Sequence, residues 1–570
     1  MPSPPPTRAP TLLLASFAVT AVALACGGLA EVDERERLHT AERERMVADV
    51  RDALDEGRLL DAARVIGVER PWDEVTFGPL AEEVAARSDD PEVLQRLGEV
   101  DAVRLDEIRL ARSYGPELAA TRAAREGVTR AHGRVVIDGV LREYVQPPDE
   151  AAMVRAARDH LTRVLLCPPA RESFALRPAS LGADLEGLVD GAVEAGLPEE
   201  LAVAEVVEAA LGSLDPYTRA IWPASLVGWE EHHAGVSVGV GLALADADDG
   251  GVVVELPAVD GPGWRGGAHA GDGVLAVDGV SVAELPPPRA VAVAALLHGE
   301  PGTEVALDVF RDGAREQLSL LRAPVQESTV TGYRRTADGW ELEAAAGVAV
   351  VGISAFRPHT DDELDALGID AERVVIDLRG NSGGDVQAAL DVADRFVSGG
   401  ELVRLVGRAV PPPEPGPNGE LPWNQAVPGH GLEGARVVVL VDGRTASAAE
   451  ILAAALRDVA GARIVGEPTW GKLVSQSLRS DPIGVGWQVT TAHWTPVSGP
   501  VERVVPDELV PVSPAERAAL DELRHRREWP TVHPDGTPVR YLGPAARADL
   551  PPITRDVQLE AALRIAAELP

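Results

Sequence analysis

Between about Asp33 and Leu211 apolar residues recur at helical spacing, clearest in Met153, Val154, Ala157, Leu161, Val164 and Leu165, with charged stretches such as Glu42-Arg43-Glu44-Arg45 between them. Residues three and four apart share a helix face, so this region is predicted to be helical with solvated charged sides. The pattern changes near Gly235. From there to about Val325 short β-type runs are broken by Gly, Pro and Asp-Gly: Val252–Leu256, Gly273–Val277 and Val305–Phe310 read as strands, and Pro287–Leu297 as a helix. A third regime spans about Val348 to Val512. Val348–Val351, Val374–Ile376 and Val437–Val441 are unbroken apolar runs, the pattern of strands buried on both faces. Helical faces alternate with them: Val386, Leu390, Ala393 and Val397, then Ile451, Leu452, Ala455, Leu456 and Val459. Strand–helix alternation predicts an α/β layer. Pro411–Gly431 is a Pro/Gly-rich loop, and residues 515–570 form a polar, partly helical tail with no readable role.

The chain has 570 residues, enough for several domains. A formal charge of −37 repels phosphate backbones and argues against a general nucleic-acid binder. Two cysteines, Cys26 and Cys167, exclude a disulfide framework and a Cys-rich zinc site. Among 53 cationic side chains Lys472 is the single lysine. Arginine serves wherever a generic positive charge is needed. A lysine amine can lose its proton in a buried site and a guanidinium in practice cannot, so the surviving lysine marks a place for a neutral amine.

The first 25 residues carry Arg8, an apolar run from Thr11 to Ala25 and an Ala23-Leu24-Ala25 cleavage pattern. The run is shorter than the roughly 20 residues of a comfortable membrane span and fits an export signal. Cys26 directly after it points to lipoprotein processing, with simple secretion and a free cysteine as the alternative.

Four constellations compete for the chemistry. Gly235-Val-Ser237-Val-Gly239 matches the form of a hydrolase nucleophile elbow, but strand-like sequence follows where a helix is required. Gly466-Glu-Pro-Thr-Trp-Gly-Lys472 matches a phosphate loop up to its last place, where Leu473 offers no hydroxyl and no helix follows. The adjacent His232 and His233 point in different directions in any regular element and have no metal-ligating partner nearby. The fourth is Thr445-Ala446-Ser447-Ala448-Ala449-Glu450, directly after a buried strand and opening an amphipathic helix. A helix N-terminus there supplies free amides and a positive dipole end, and small neighbours leave the hydroxyl uncovered. A serine needs a base, and Lys472 serves if desolvation lowers its pKa. The bland alternative is a serine that only caps the helix.

These segments resemble the C-terminal processing (tail-specific) peptidase family. The resemblance rests on Thr445–Ala453, on Gly466–Lys472 with Gln476 four residues on, and on the 25-residue separation of Ser447 and Lys472. It also rests on Asp377-Leu-Arg-Gly-Asn-Ser-Gly-Gly384, Leu214-Asp-Pro-Tyr-Thr218, Gly271–Gly279, Thr490-Thr-Ala492 and Val505-Pro-Asp507. It covers about residues 138–512. Departures are Leu473 where glycine is usual, Ala449 where serine is common, and the Pro-rich loop.

The resemblance implies a multidomain α/β fold: a crotonase-like peptidase core, an inserted β-rich PDZ domain and an α-helical N-terminal region. The boundaries expected are 1–25 signal peptide, 26–135 helical region of unknown role, 136–232 helices leading into the peptidase, 233–326 PDZ domain, 327–514 core and 515–570 tail. It implies an exported serine endopeptidase of the periplasm or cell envelope, in which Ser447 attacks, Lys472 takes the proton and Gln476 orients the lysine. The amides of Gly383, Gly384 and Ala448 would hold the oxyanion, while Asp377 and Arg379 fix the turn. Gly239-Val240-Gly241-Leu242 would be the carboxylate loop of the PDZ domain, reading protein or peptide substrates with accessible C-termini. No metal or nucleotide is needed, and Cys26 would carry a lipid anchor. The rival in another class is a catalytically silent PDZ scaffold of the envelope.

Overall fold

The computed structural model describes residues 110–247, 250–285, 289–336, 339–408, 410, 422–539 and 555–569, with shorter stretches between 47 and 109. The expected signal segment 1–25, Cys26 and residues 411–421 of the Pro-rich loop lie outside the described residues. Two compact units divide between Arg109 and Leu110. In the first, helical stretches bring together Val50, Ala53, Leu54, Ala62, Ala63, Ile66, Leu80, Ala81 and Val84.

The division differs from the boundary expected at 135. That residue lies inside the helix Arg130–Glu143, whose Val136 and Val140 are buried in the second unit. Helices Glu150–Leu166 and Glu199–Gly212 pack with it, and the expected face of Met153, Ala157, Leu161 and Val164 is its core. Cys167 is a free, buried cysteine in the same core.

The largest sheet of the second unit has seven strands. Five run parallel in sequence order: β1 (Val348–Ile353), β2 (Arg373–Asp377), β3 (Arg436–Val441), β4 (Arg463–Gly466) and β5 (Glu508–Leu509). Their apolar runs alternate between two cores. Val351, Ile376, Val439 and Ile464 face helices α1 (Val386–Asp394) and α2 (Ala448–Ala460). Val350, Val375, Val438, Leu440 and Val465 face the last helix, α4 (Val557–Glu568), through Leu559, Ala562 and Ala566. The polar-looking tail therefore covers half of this sheet. Residue 515 is no boundary, since it falls at the start of helix α3 (Pro514–Glu528).

A second sheet joins Val485–Thr495 to Arg219–Ile221, Arg404–Val406 and Val474–Asp481. It leans on the helical region, where a Cβ on Gly139 would fall 2.5 Å from the Trp487 ring. The β-rich segment forms its own six-stranded antiparallel sheet between Leu242 and Leu321, with helix Arg289–Leu297 packed on a core of Val254, Val274, Val293, Leu307 and Val309. The strands by which the chain enters and leaves it, Val236–Gly239 and Ala323–Gln326, pair with each other.

After α3 the chain turns back at His533–Thr537 and docks on this β-rich module. The His533 ring stacks on His269 at 3.9 Å and lies 4.9 Å from Trp264. His533 is buried, with no partner for Nδ1 among the described residues. Burial, and then the neighbouring His269, push its pKa down to about 4. The charged groups around it are Asp535, Arg311 and Asp272. The docked state prefers neutral His533, so docking is at full strength above the ordinary histidine pKa of about 6.5 and weakens as pH falls from there toward 4. Amide protection factors over 264–272 and 531–539 should drop together across that window. Constant protection from pH 7.5 to 4.5 would contradict this.

Candidate active site

Strands β1, β2 and β3 end side by side at Ile353, Asp377 and Val441, and buried polar side chains stitch the turns that follow. Asn381 donates from Nδ2 to the Ile353 carbonyl (2.9 Å) and accepts the Gly383 N–H at Oδ1 (2.8 Å). Asp442 Oδ1 accepts the N–H groups of Gly380 (2.9 Å), Arg444 (3.0 Å) and Thr445 (3.1 Å), and the Thr445 hydroxyl donates to the Leu378 carbonyl (2.9 Å). The Ala446 N–H donates to the Asn381 carbonyl (3.0 Å). Each buried polar group is thereby satisfied, and two turns become one rigid body.

Ser447 sits where this body meets α2. Its φ of +57° and ψ of −120° are a strained backbone for a residue with a Cβ. A sharp strand-to-helix turn of this kind lifts a side chain out at the end of a sheet. The Ser447 hydroxyl makes no hydrogen bond among the described residues, and the Glu450 N–H goes to the Ser447 carbonyl (2.9 Å). The Ser447 side chain and the Glu450 backbone still face each other in a capping box, so the hydroxyl stands at the start of α2 without a cap hydrogen bond of its own.

Gly383 and Gly384 pass directly beneath. A Cβ on Gly383 would stand 2.9 Å from Ser447 Cβ and 3.0 Å from the Ala448 nitrogen, and one on Gly384 would stand 2.1 Å from the Phe356 carbonyl oxygen. Both have positive φ, so only glycine fits. Of the three amides expected to hold an oxyanion, that of Gly383 is donated to Asn381. Those of Gly384 and Ala448 have no partner among the described residues.

Lys472 arrives on the loop after β4, the strand beside β3. One carboxylate fastens it to Ser447. Glu450, fully buried in the first turn of α2, accepts the N–H groups of Ser447 (2.8 Å) and Lys472 (2.9 Å) on Oε2, and the Gly471 N–H (2.8 Å) and Thr469 hydroxyl (2.5 Å) on Oε1. The Trp470 N–H donates to the Thr445 carbonyl (2.9 Å), and Trp494 Nε1 to the Lys472 carbonyl (2.8 Å).

The two backbones are joined, but the side chains are not. No hydrogen bond connects Lys472 Nζ with Ser447 Oγ or with Gln476 among the described residues. Instead the amine lies 4.7 Å over the Tyr217 ring, and Gln476 donates to the Thr490 hydroxyl (3.2 Å). Tyr217 is held there by Asp215, which accepts the N–H groups of Tyr217 (2.6 Å) and Thr218 (2.7 Å). Burial, and then the charge of Arg219, lower the Lys472 pKa, against Asp215 and Glu450, which raise it.

Elsewhere, Ser237 lies on a strand followed by another strand, which removes the elbow reading. The Gly466–Lys472 loop leads into strand Val474–Asp481, and without a helix the phosphate-loop reading has no dipole or amide cradle. His232 and His233 end a helix, and no cluster able to hold a metal ion occurs among the described residues. Gly239 closes its strand. Val240 is buried, Gly241 has a φ of +66°, and Leu242 opens the strand beside helix Arg289–Leu297. Sequence reasoning gave no role to Glu450 or Tyr217, although both lie inside the segments it quoted.

Peptidase family S41 matches residues 347–510, the stretch that contains the turns of Gly383, Ser447 and Lys472 but not Tyr217. The carboxyl-terminal-processing protease of Picosynechococcus sp. is 31% identical over 315 residues, 54% of this chain and 72% of the relative. That of Synechocystis sp. is 30% identical over 338 residues, 56% of this chain and 76% of the relative. The chain belongs to the carboxyl-terminal-processing peptidase family. A solved photosystem II D1 C-terminal processing protease, 26% identical, aligns with 67% of this chain and 94% of its own at a TM-score of 0.34. Family membership makes the protein a multidomain α/β serine peptidase with protein substrates.

In this peptidase Glu450→Gln would turn an NH₂ group toward N–H donors and leave buried donors unpaired. The expected cost is about 3 kcal/mol of stability. Cleavage should fall more steeply than the folded fraction does, because Ser447 and Lys472 lose their common anchor. Thermal melts paired with rate measurements on the folded protein check this, and a rate that simply tracks the folded fraction would contradict it.

Proposed function

We propose that the protein is an exported serine endopeptidase with a Ser447–Lys472 dyad that selects substrates by their C-terminal tails. The observation that carries this reading is the single Glu450 oxygen that accepts the N–H of both residues, which ties Ser447 to the chain's only lysine. In the reaction Ser447 Oγ attacks the scissile carbonyl carbon and its proton passes to neutral Lys472. The oxyanion rests on the amides of Gly384 and Ala448. As the tetrahedral intermediate collapses, the Lys472 ammonium returns the proton to the departing amine, leaving an acyl-enzyme ester. Lys472 then takes a proton from water as the water attacks the ester, and on collapse its ammonium returns that proton to Ser447 Oγ as the carboxyl product leaves. Each oxyanion donor is worth on the order of 100–1,000-fold in rate.

The geometry described is a resting one. For the first proton transfer the amine leaves the face of Tyr217 and approaches Ser447, with Gln476 released from Thr490 to orient it. The inserted β-rich module is read as a PDZ domain, with Gly239-Val240-Gly241-Leu242 as the loop that takes the substrate carboxylate beside helix Arg289–Leu297. Export to the periplasm or cell envelope is supported by the pattern of residues 1–25, and lipid anchoring by Cys26 after Ala23-Leu24-Ala25.

Ser447→Ala should abolish cleavage of unfolded or tail-exposed proteins while the fold is kept. Lys472→Arg should be nearly as inactive, since its base stays charged. In the wild-type enzyme the rate should rise with pH as Lys472 deprotonates, with a midpoint below the ordinary lysine value of about 10.5. Undiminished cleavage by Ser447→Ala would leave the protein to the rival reading, a silent scaffold of the envelope.

A further inference from the structure

Helix α3 has few apolar residues to dock with: Ala519 and Leu520 are buried, while Glu516, Asp521, Glu522 and the run Arg524-His525-Arg526-Arg527-Glu528 are charged or titratable. It starts in a capping box in which Ser513 and Glu516 satisfy each other's N–H groups. Residues 517, 521 and 524 are spaced i, i+4 and i+7 and share one face. Each of the three reaches a different turn of the active site. Arg517 Nη2 donates to both Glu467 oxygens at 3.0 Å, in the loop that leads to Lys472. Asp521 accepts from Arg444 at 2.7 and 2.9 Å, in the turn that leads to Ser447. Arg524 Nη1 donates to the Arg379 carbonyl at 3.0 Å, and its Nε lies 3.5 Å from Asp377, at the turn that leads to Gly383 and Gly384.

The three partners follow three different strands, β4, β3 and β2. They carry three different functions of the proposed reaction: base, nucleophile and oxyanion amides. A helix held chiefly by apolar packing could sit anywhere on such a surface. This one is keyed to the turns by alternating charge, Arg, Asp, Arg against Glu, Arg and a carbonyl beside Asp377. In the Arg517–Glu467 pair both side chains are 14% exposed, so solvent screens it less than the Arg444–Asp521 pair.

We propose that Arg517, Asp521 and Arg524 are positioning residues that hold the three turns in register, making α3 a strap without which the active site does not assemble. The catalytic part of this rests on the Ser447–Lys472 reading; the structural part does not. None of the three touches the reacting atoms. They act through Glu467, Arg444 and the Arg379 turn. Small displacements of such turns are costly, since a misplacement of about 1 Å lowers rates on the order of 100-fold.

The test uses the full chain with Arg517→Ala, Asp521→Asn and, as conservative controls, Arg517→Lys and Asp521→Glu. Amide hydrogen exchange is followed over 379–384, 442–447 and 466–472. The strap predicts faster exchange in those turns for Arg517→Ala and Asp521→Asn, with strand 437–441 still protected and the controls near wild type. On a tail-exposed substrate it predicts kcat lowered about 10- to 100-fold with KM within about twofold. For Arg517→Ala the rising limb of the pH profile moves to higher pH as Lys472 is rehydrated. Unchanged exchange overturns the strap whether or not the chain cleaves anything. Faster exchange with kcat and pH profile unmoved overturns its catalytic reach. Equal cleavage by wild type and Ser447→Ala sinks the dyad alone, and the exchange result still decides the strap.

Discussion

One buried carboxylate sets the terms for the rest of the site. Glu450 has no cationic side chain among its hydrogen-bond partners. Its charge is carried by the N–H groups of Ser447, Gly471 and Lys472 and by the Thr469 hydroxyl. A buried carboxylate is tolerated only when its lone pairs are filled, and these four donors fill both oxygens. The same arrangement constrains the chain in return. The loop after β4 must present Thr469, Gly471 and Lys472 toward α2, and Ser447, at positive φ just before α2, turns its own N–H onto the same carboxylate. The strained backbone of Ser447 and the buried carboxylate of Glu450 thus meet in one hydrogen bond, and the three bonds from the loop hold the carboxylate in place.

Around this device the architecture supplies rigidity in layers. The parallel sheet ends its strands at one edge, where Asn381 and Asp442 lock the turns to each other. Its second face is closed by α4, and the seam is a buried ionic network. Arg379 donates to Asp377 and also to Asp556 and Gln558 at the start of α4. Burial works against the ionised form of Asp377, yet Arg379 and Arg524 hold its pKa well below the carboxylate range. The last helix thus packs apolar residues on the sheet while its first residues reach the turn that leads to Gly383 and Gly384. The chain's final segment is part of the peptidase layer, and between α3 and α4 it also reaches the β-rich module through His533.

The sequence was most legible where chemistry requires an unusual residue. A lone lysine among arginines, small residues after a buried strand and paired glycines after Asp377 each violate the local background, so each could be seen without coordinates. The unbroken apolar runs announced a sheet covered on both sides, but not by what. The cover is a helix more than a hundred residues downstream whose stripe of Leu559, Ala562 and Ala566 is short and made mainly of alanine. Glu450 was hidden for the opposite reason. An acidic residue in the first turn of a helix is ordinary dipole chemistry, and nothing in the pattern says its partners lie about twenty residues on. Tyr217 was hidden because its partner is met only in space. The boundaries at 135 and 515 were drawn where the resemblance begins and ends, whereas helix Arg130–Glu143 runs through the first and helix α3 starts at the second.

Tyr217 and Lys472 also bear on how the proposed base can rest in such a site. An aromatic face favours an ammonium ion, whereas burial and Arg219 favour a neutral amine. These tendencies oppose each other at the position observed, so the amine is held by a contact that rewards charge in surroundings that penalise it. A substrate strand bound in the proposed reaction excludes water and strengthens the penalty, and the neutral amine then gains less from the ring. In the proposed reaction that imbalance moves Lys472 from Tyr217 toward Ser447. The move is short because Glu450 already holds the two backbones together: only the side chain travels, and the turns that position the hydroxyl and the oxyanion amides need not rearrange.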